Sequence, residues 1–530
     1  MFKIIQNYIK IKKDKLITIS ILSAILILTS IVSIIHLKDK SQYHFDEIYT
    51  YKTIALFPSP LIERYFDKWL SNNNINQDIF IINENQKHKY GRVAEVTKFD
   101  VHPPLYYWSM HFLGSIFESR FQGKYIAGFL NIVCYLAGSY LFYAIAKRVY
   151  ENKYVSLAAL FCYSISIATI SNIIWARMYS MAIFSSLLFT YSLIRIISDK
   201  KYSFRRWFLY IFSFIIGALT HYYFLIYAFI ILFVSAIILF AKALKRYNRS
   251  KLKIGINKIF KILFATIAGW LVALLIFPQA IIHLTQSGRS NQITDRLSIN
   301  TSEKLGIFSD KISTILLKFN NYVFYKFYFF IIFILIILFL YFIFKHEKNN
   351  NINYRLLILL LSSSVIFSLI VTYISPYEDL RYHAFSIPFI FISIFSIFTF
   401  INNKYLKHLF LLVMCILFTI NVINKKPIHI PSCYKVQETI YDNPKSVMII
   451  DKKEISSLMY YFYMPKNINI FYSNGSSDSY KNNNNPENFY LILNTKNNKK
   501  ILSYFQNNYK IDKQKARFCT IKNIYILDKK

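Results

Sequence analysis

The sequence predicts an all-α polytopic membrane protein of about eleven transmembrane helices, followed by a small extracytoplasmic α/β domain. Three observations predict it: composition, the spacing of apolar runs, and the placement of charge. Of 530 residues, 55% are hydrophobic and 18% aromatic, against 17% charged. One soluble core cannot bury that much apolar surface, so the bilayer has to act as solvent.

The apolar runs give spans at 16–37, 125–146, 154–172, 178–197, 206–220, 222–243, 262–284, 323–345, 355–375, 383–401 and 405–424. Most have the length a helix needs to cross the hydrocarbon core. Between them, Lys and Arg cluster in short segments, which accounts for the net charge of +36. That distribution marks cytoplasmic loops and argues against a nucleic-acid partner.

Lys3, Lys10, Lys12, Lys13 and Lys15 precede the first span and place the N-terminus in the cytoplasm. Alternation then puts Lys147–Lys153, Lys200–Arg206 and Lys242–Lys261 on the same side, the last with eight basic residues and no acid. The C-terminal segment falls outside, which suits a multi-pass protein of a plasma (inner) membrane. No small-x-small cleavage site follows Ser33-Ile34-Ile35-His36, so the first span reads as an uncleaved anchor.

Two regions leave the membrane. Within a transmembrane domain of 1–425, the first outer loop covers about 38–124. Its end, 104–117, is apolar but too short to span, and Leu105, Trp108, Phe112, Leu113 and Ile116 fall near one helical face. This segment predicts an interfacial helix. The tail, 426–530, alternates β-like runs (446–451, 467–472, 489–493, 524–527) with helix-like ones (454–463, 499–505). Cys433 and Cys519 both lie there, on the same side of the membrane, and could pair, whereas Cys134, Cys162 and Cys415 fall in spans. The chain has 11 glycines and no Gly-rich phosphate loop, which argues against a sugar-nucleotide donor.

Asp46 and Glu47 stand just outside the first span. One reading is a general base with a neighbour that orients it; the other is a solvated acidic pair at a helix end. Arg177 and Arg381 are placed at the outer N-terminal ends of the fourth and tenth spans. Cations are disfavoured at both the helix N-terminus and the outer flank. A bound phosphate removes the conflict. For Arg381 the rival is an ion pair with Glu378. His102 and His221 either bind substrate or are satisfied polar residues of an aromatic belt; metal ligation with Asp100 is a third reading, although no close-spaced His/Cys cluster supports it.

Taken in order, FDEIYT at 45–50, DVHPPLYYW at 100–108, ARMYS at 176–180, THYYF at 220–224 and RYHAFSIP at 381–388 resemble the GT-C glycosyltransferase superfamily. Within it, the chain resembles the bacterial branch related to the protein O-mannosyltransferases and the lipid A aminoarabinose transferase. The resemblance covers about residues 1–400. It implies a glycosyltransferase using a polyprenyl-phosphate-linked sugar donor on the outer face, with a lipid, glycan or protein acceptor. A single attack would invert the anomeric centre, and a phosphate leaving group supported by arginines predicts turnover with no metal and no cofactor. By the same resemblance Asp46 is the base with Glu47 beside it, Arg177 and Arg381 lie near the phosphate and His221 near the active site; His102, Tyr179 and Tyr382 complete the expected substrate and phosphate contacts. His102 stands where the aminoarabinose transferase has a lysine before proline, which counts against that particular sugar. A lipid-linked sugar flippase and a diphosphate-linked oligosaccharide ligase are the rival activities.

Overall fold

The computed structural model describes residues 2–40, 43–56, 67–71, 80–98, 101–117, 123–198, 203–244, 249–286, 301–324, 352–425, 427–428, 445–451, 468–473, 478–481, 485–494, 498–514 and 524–530. The chain divides into two compact units. The first holds Met1–His36, Thr97–Tyr106 and Ala127–Ile428; the second holds Leu37–Val96, Tyr107–Ile126 and His429–Lys530.

The first unit is helical. Among the described residues, seven helices are long and apolar enough to cross a membrane, or eight if a bent pair counts as one span. The protein is therefore a multi-pass membrane protein. Asparagines start several of these helices: Asn152 Oδ1 accepts from the N–H groups of Tyr154 and Val155, and Asn403 Oδ1 from those of Tyr405 and Leu406. Each satisfies N–H groups that a helix start leaves unpaired. Phe2–Asp39, Arg249–Ile276 and Lys404–Asn424 leave many apolar side chains exposed, as lipid-facing helices do. Inside, the Tyr227 hydroxyl meets Thr190 Oγ1 at 2.7 Å while its ring stacks on Phe389 at 5.5 Å.

Several expected spans differ from what forms. The third is two helices, Lys153–Ser164 and Ile167–Ile174, bent by 57°. Ser166 causes the break by capping the second helix, its Oγ accepting from the Thr169 N–H at 3.3 Å. The seventh begins earlier, at Arg249, and stops at Ile276, because Pro278 cannot continue the ladder; a short helix, Ala280–Thr285, follows. The tenth starts at Ile387 rather than 383, since Leu380–His383 is a separate 3-10 turn capped by Asp379. The fifth, Phe204–Thr220, has 17 residues. The eighth lies almost wholly outside the described residues.

The second unit carries a six-stranded sheet, in the order β1 (Trp69–Ser71), β3 (Asn469–Ser473), β2 (Ser446–Asp451), β4 (Asn488–Asn494), β6 (Ile524–Lys529), β5 (Tyr509–Gln514). β2 pairs parallel with β3 and β4, and the other pairings are antiparallel. Val447 to Ile450 are buried along their whole run, the pattern of a central strand covered on both faces. Met448, Ile450, Phe471, Phe489, Leu491 and Leu493 pack with Ile501 and Phe505 of the Asn498–Gln506 helix.

Two strands were not expected. β1 comes from the first loop and pairs with β3 through Trp69↔Phe471, so the sheet is not confined to 426–530. β5 reads as polar, Tyr-Lys-Ile-Asp-Lys-Gln, because it is an edge strand whose lysines blunt it. The expected helix at 454–463, Cys433 and Cys519 lie outside the described residues. The 104–117 segment does form a helix, Leu105–Ile116. It leaves Phe112 and Ile116 exposed while burying Tyr106, Tyr107 and Met110.

Candidate functional site

In the second unit, Asp46 and Glu47 open the Phe45–Ile54 helix, whose N-cap is His44. His44 Nδ1 accepts from the Asp46 N–H at 3.1 Å, and Glu47 Oε2 accepts from the His44 N–H at 2.7 Å. This reciprocal box fixes the entry to the helix. Glu47 is fully buried, and its other oxygen takes a hydrogen bond and ion pair from Lys40. Burial pushes the Lys40 ammonium below its ordinary pKa, an effect the Glu47 charge opposes. Lys124 closes the same corner by donating to the carbonyls of Lys38 and Lys40, each at 2.8 Å.

The adjacent carboxylates thus separate in role. Glu47 is committed to holding Lys40 and the helix start. Asp46 keeps a partly exposed carboxylate, with Oδ2 3.5 Å from His44 Nδ1.

In the first unit, the structure brings His102, Arg177, Tyr179, His221, Arg381 and Tyr382 into one contact network. Arg177 lies in the turn before the Tyr179–Ser198 helix. That turn is shaped by Asn131, whose side-chain amide donates to the carbonyls of Ile173 (3.1 Å) and Trp175 (2.6 Å), two acceptors the preceding helix end leaves open. A terminal nitrogen of Arg177 reaches His102 Nε2 at 3.2 Å. The His102 ring meets His221 edge-on at 5.7 Å, and His221 meets Tyr179 at 5.5 Å.

Arg381 enters from the Leu380–His383 turn. Its Nε lies 3.2 Å from Asp379 Oδ2, and its guanidinium stacks 5.1 Å from the Trp175 ring and 5.0 Å from Tyr382. The expected partner Glu378 is not the one used; its carbonyl instead accepts from Lys318. Arg381 also does not stand at the start of a membrane helix, because Asp379 starts a turn of its own there. The helix-dipole conflict inferred for Arg381 is therefore relieved locally, by the Asp379 carboxylate.

Arg177, Tyr179, His221, Arg381 and Tyr382 are all buried. His221 Nδ1 accepts from the Tyr223 N–H at 3.0 Å, which leaves the proton on Nε2. That nitrogen is buried and has no hydrogen-bond partner among the described residues. Burial, and then the positive character of His102, Arg177 and Arg381, holds His221 well below the ordinary histidine pKa. The network thus offers a neutral N–H donor inside a positive field. That is an arrangement suited to an anion with several oxygens.

Sequence reasoning missed His283, which ties the network's supports together. Its Nδ1 meets the Tyr222 hydroxyl at 2.8 Å, and its Nε2 meets the Lys98 carbonyl at 3.0 Å. It therefore links the segment leading to His102 with the turn holding His221. The signal was a lone histidine in an otherwise apolar run, Ala-Ile-Ile-His-Leu-Thr. Asp379 and Trp175 were also missed; both flank the arginines in sequence. Asp100 lies outside the described residues. No cluster of three or more His, Cys, Asp or Glu fit to hold a metal occurs among the described residues.

No protein-family model and no curated protein matches this chain. Among solved structures, it is similar to ArnT from Cupriavidus metallidurans bound to undecaprenyl phosphate, with a TM-score of 0.53 at 10% identity, covering 95% of this chain and 97% of that one. It also matches the Archaeoglobus fulgidus oligosaccharyltransferase in complex with zinc and sulfate, with a TM-score of 0.47 at 11% identity, over 84% of this chain and 62% of that one. At this identity the likeness shows a shared fold, that of the ArnT structure over nearly the whole of both chains.

Proposed function

We propose that this chain is an integral-membrane glycosyltransferase that moves a sugar from a polyprenyl-phosphate-linked donor to a cell-envelope acceptor on the outer face of the membrane. The observation that carries the reading is the network of buried Arg177, Arg381 and His221 Nε2–H with half-buried His102, in a fold shared with a protein whose structure holds undecaprenyl phosphate. In this reading the network binds the donor phosphate.

The acceptor hydroxyl attacks the anomeric carbon and passes its proton to an Asp46 oxygen. The bond from that carbon to the phosphate oxygen breaks, and the lipid phosphate leaves with the electron pair. The two guanidinium groups and the His221 N–H stabilise the charge that grows on it. A single displacement inverts the anomeric centre. Asp46 suits the base because its carboxylate is partly open, whereas that of Glu47 is spent on Lys40 and the helix start. Glu47 acts as a positioning residue.

The test offers purified protein a monophosphate-linked sugar and, separately, a diphosphate-linked oligosaccharide. Turnover is expected with the first and should survive chelation of divalent ions, since arginines supply the positive charge. Asp46→Asn should abolish transfer and leave undecaprenyl phosphate binding near wild type. Wild-type turnover by that variant removes Asp46 as the base. Turnover of the diphosphate donor alone supports the ligase instead.

A further inference from the structure

A cavity of about 570 Å³ opens at the other end of the transmembrane helices, where the lysine and arginine bias places the cytoplasm. Its lining includes Tyr140, Tyr143, Lys147 and Arg148 of the Lys124–Tyr150 helix, with Asn353 and Leu356 at the start of Tyr354–Ile374. Tyr140, Tyr143, Ala144 and Lys147 recur at helical spacing, so one face of one helix forms a wall. From Tyr140 to Arg148 that wall rises about 12 Å. It passes from aromatic and aliphatic groups to cations.

The cationic end is under-neutralised. The Arg148 guanidinium lies 5.7 Å from the centre of the Tyr191 ring, and that of Arg195 lies 5.8 Å from the same ring. Two like charges thus share one aromatic platform. Among the described residues, Lys147, Arg148 and Arg195 have no ion-pair partner, and the buried Arg195 Nε has no hydrogen-bond acceptor. Neighbouring Lys153, by contrast, pairs with Asp14 at 3.1 Å. Glu151 is the one carboxylate in the lining, against three cations at or beside it. An anion placed here offsets repulsion among these cations that, in the cavity lining, Glu151 alone counters.

We propose that this cavity binds an anionic phospholipid of the cytoplasmic leaflet. The phosphodiester rests on Lys147 and Arg148, and the glycerol and first acyl carbons run along Tyr140, Tyr143 and Leu356. The polarity gradient selects a lipid over a free phosphate, which would use the cations and leave the aromatic end empty. Basic hollows between helices at the cytoplasmic headgroup level suit such lipids on general electrostatic grounds. The site stands apart from the glycosyl-transfer reading and does not depend on it.

The test is native mass spectrometry on the delipidated full-length protein, titrated separately with phosphatidylglycerol, phosphatidylcholine and inorganic phosphate. Phosphatidylglycerol should be retained about tenfold better than phosphatidylcholine, as two cations near a headgroup imply. Lys147→Gln with Arg148→Gln should abolish the preference, and Lys404→Gln with Lys407→Gln, an equal loss of charge at the start of a different helix, should keep it. Ala144→Trp leaves the charges and fills the cavity, so it should also abolish retention. Equal retention of the two lipids overturns the proposal. So does an equal loss in both charge variants, or full retention in Ala144→Trp. Displacement of the lipid by inorganic phosphate at matched concentration overturns it in favour of a free-phosphate site.

Discussion

The Tyr223 N–H donates to His221 Nδ1 at 3.0 Å, and that one bond decides where the imidazole proton sits. With Nδ1 occupied as an acceptor, Nε2 carries the hydrogen and presents it as a buried donor. His221→Ala should therefore weaken undecaprenyl phosphate binding about tenfold, the scale of one hydrogen bond to a charged group. His221→Gln retains an N–H donor and should recover much of the loss. Calorimetric titration of both variants checks this. Equal affinities would assign the residue to packing rather than donation.

The same residue sets a pH dependence. Burial, followed by the charges of His102, Arg177 and Arg381, lowers the His221 pKa. The unfolded chain then binds the proton more readily than the folded one. Stability from this group is complete above about pH 6.5 and is lost as pH falls toward the folded pKa. Thermal unfolding should show a lower midpoint at about pH 5.5 than at about pH 7.5, with a slope from this group of at most about 1.4 kcal/mol per pH unit. His221→Gln should flatten that slope. An unchanged slope would place the titrating group elsewhere.

How far the sequence led can be judged from particular residues. The six candidate contacts on four separated segments converge because each sits beside a turn between apolar helices, and hydropathy locates such turns well. What hydropathy could not show was how the turns end. Ser166 and Pro278 break or stop predicted spans through capping and a missing N–H, both local effects inside apolar runs. The division of labour between Asp46 and Glu47 was also hidden, since it depends on Lys40 folding back on one of two adjacent carboxylates. β1 was invisible for a related reason. Three residues, Trp69–Ser71, become a strand only because β3 offers an edge nearly four hundred positions later.

The buried Lys40–Glu47 pair gives a non-additive prediction. Glu47→Gln leaves an ammonium buried beside a neutral amide, which costs about 3–5 kcal/mol when a buried pair loses one partner. Replacing both, Lys40→Met with Glu47→Leu, removes the stranded charge and should cost less than the single change. Asp46→Asn, at a partly exposed position, should barely move the thermal midpoint. Unfolding curves of the three proteins decide it. A double variant as unstable as the single one would mean that the hydrogen bond to the His44 N–H, not the ion pair, organises this corner.

Gly217 supplies a test of how the His221 turn is supported. A Cβ on Gly217 would lie 2.4 Å from ring carbons of Phe224. That ring is fully buried, with Phe189 at 5.4 Å and Phe214 at 5.7 Å, so it has little room to yield. The Phe224 N–H donates to the His221 carbonyl at 2.9 Å, and the His221 N–H to the Gly217 carbonyl at 3.2 Å. Gly217→Ala therefore pushes on the turn from both sides and should cost about 1–3 kcal/mol, the range for overpacking a core. It should also weaken undecaprenyl phosphate binding, although Gly217 has no side chain with which to touch a ligand. Gly269→Ala, whose Cβ would meet Phe214 at 3.1 Å, stresses the same aromatic cluster away from the turn and should lower stability alone. If the two variants lose affinity equally, the turn carries no special role in placing His221 Nε2–H.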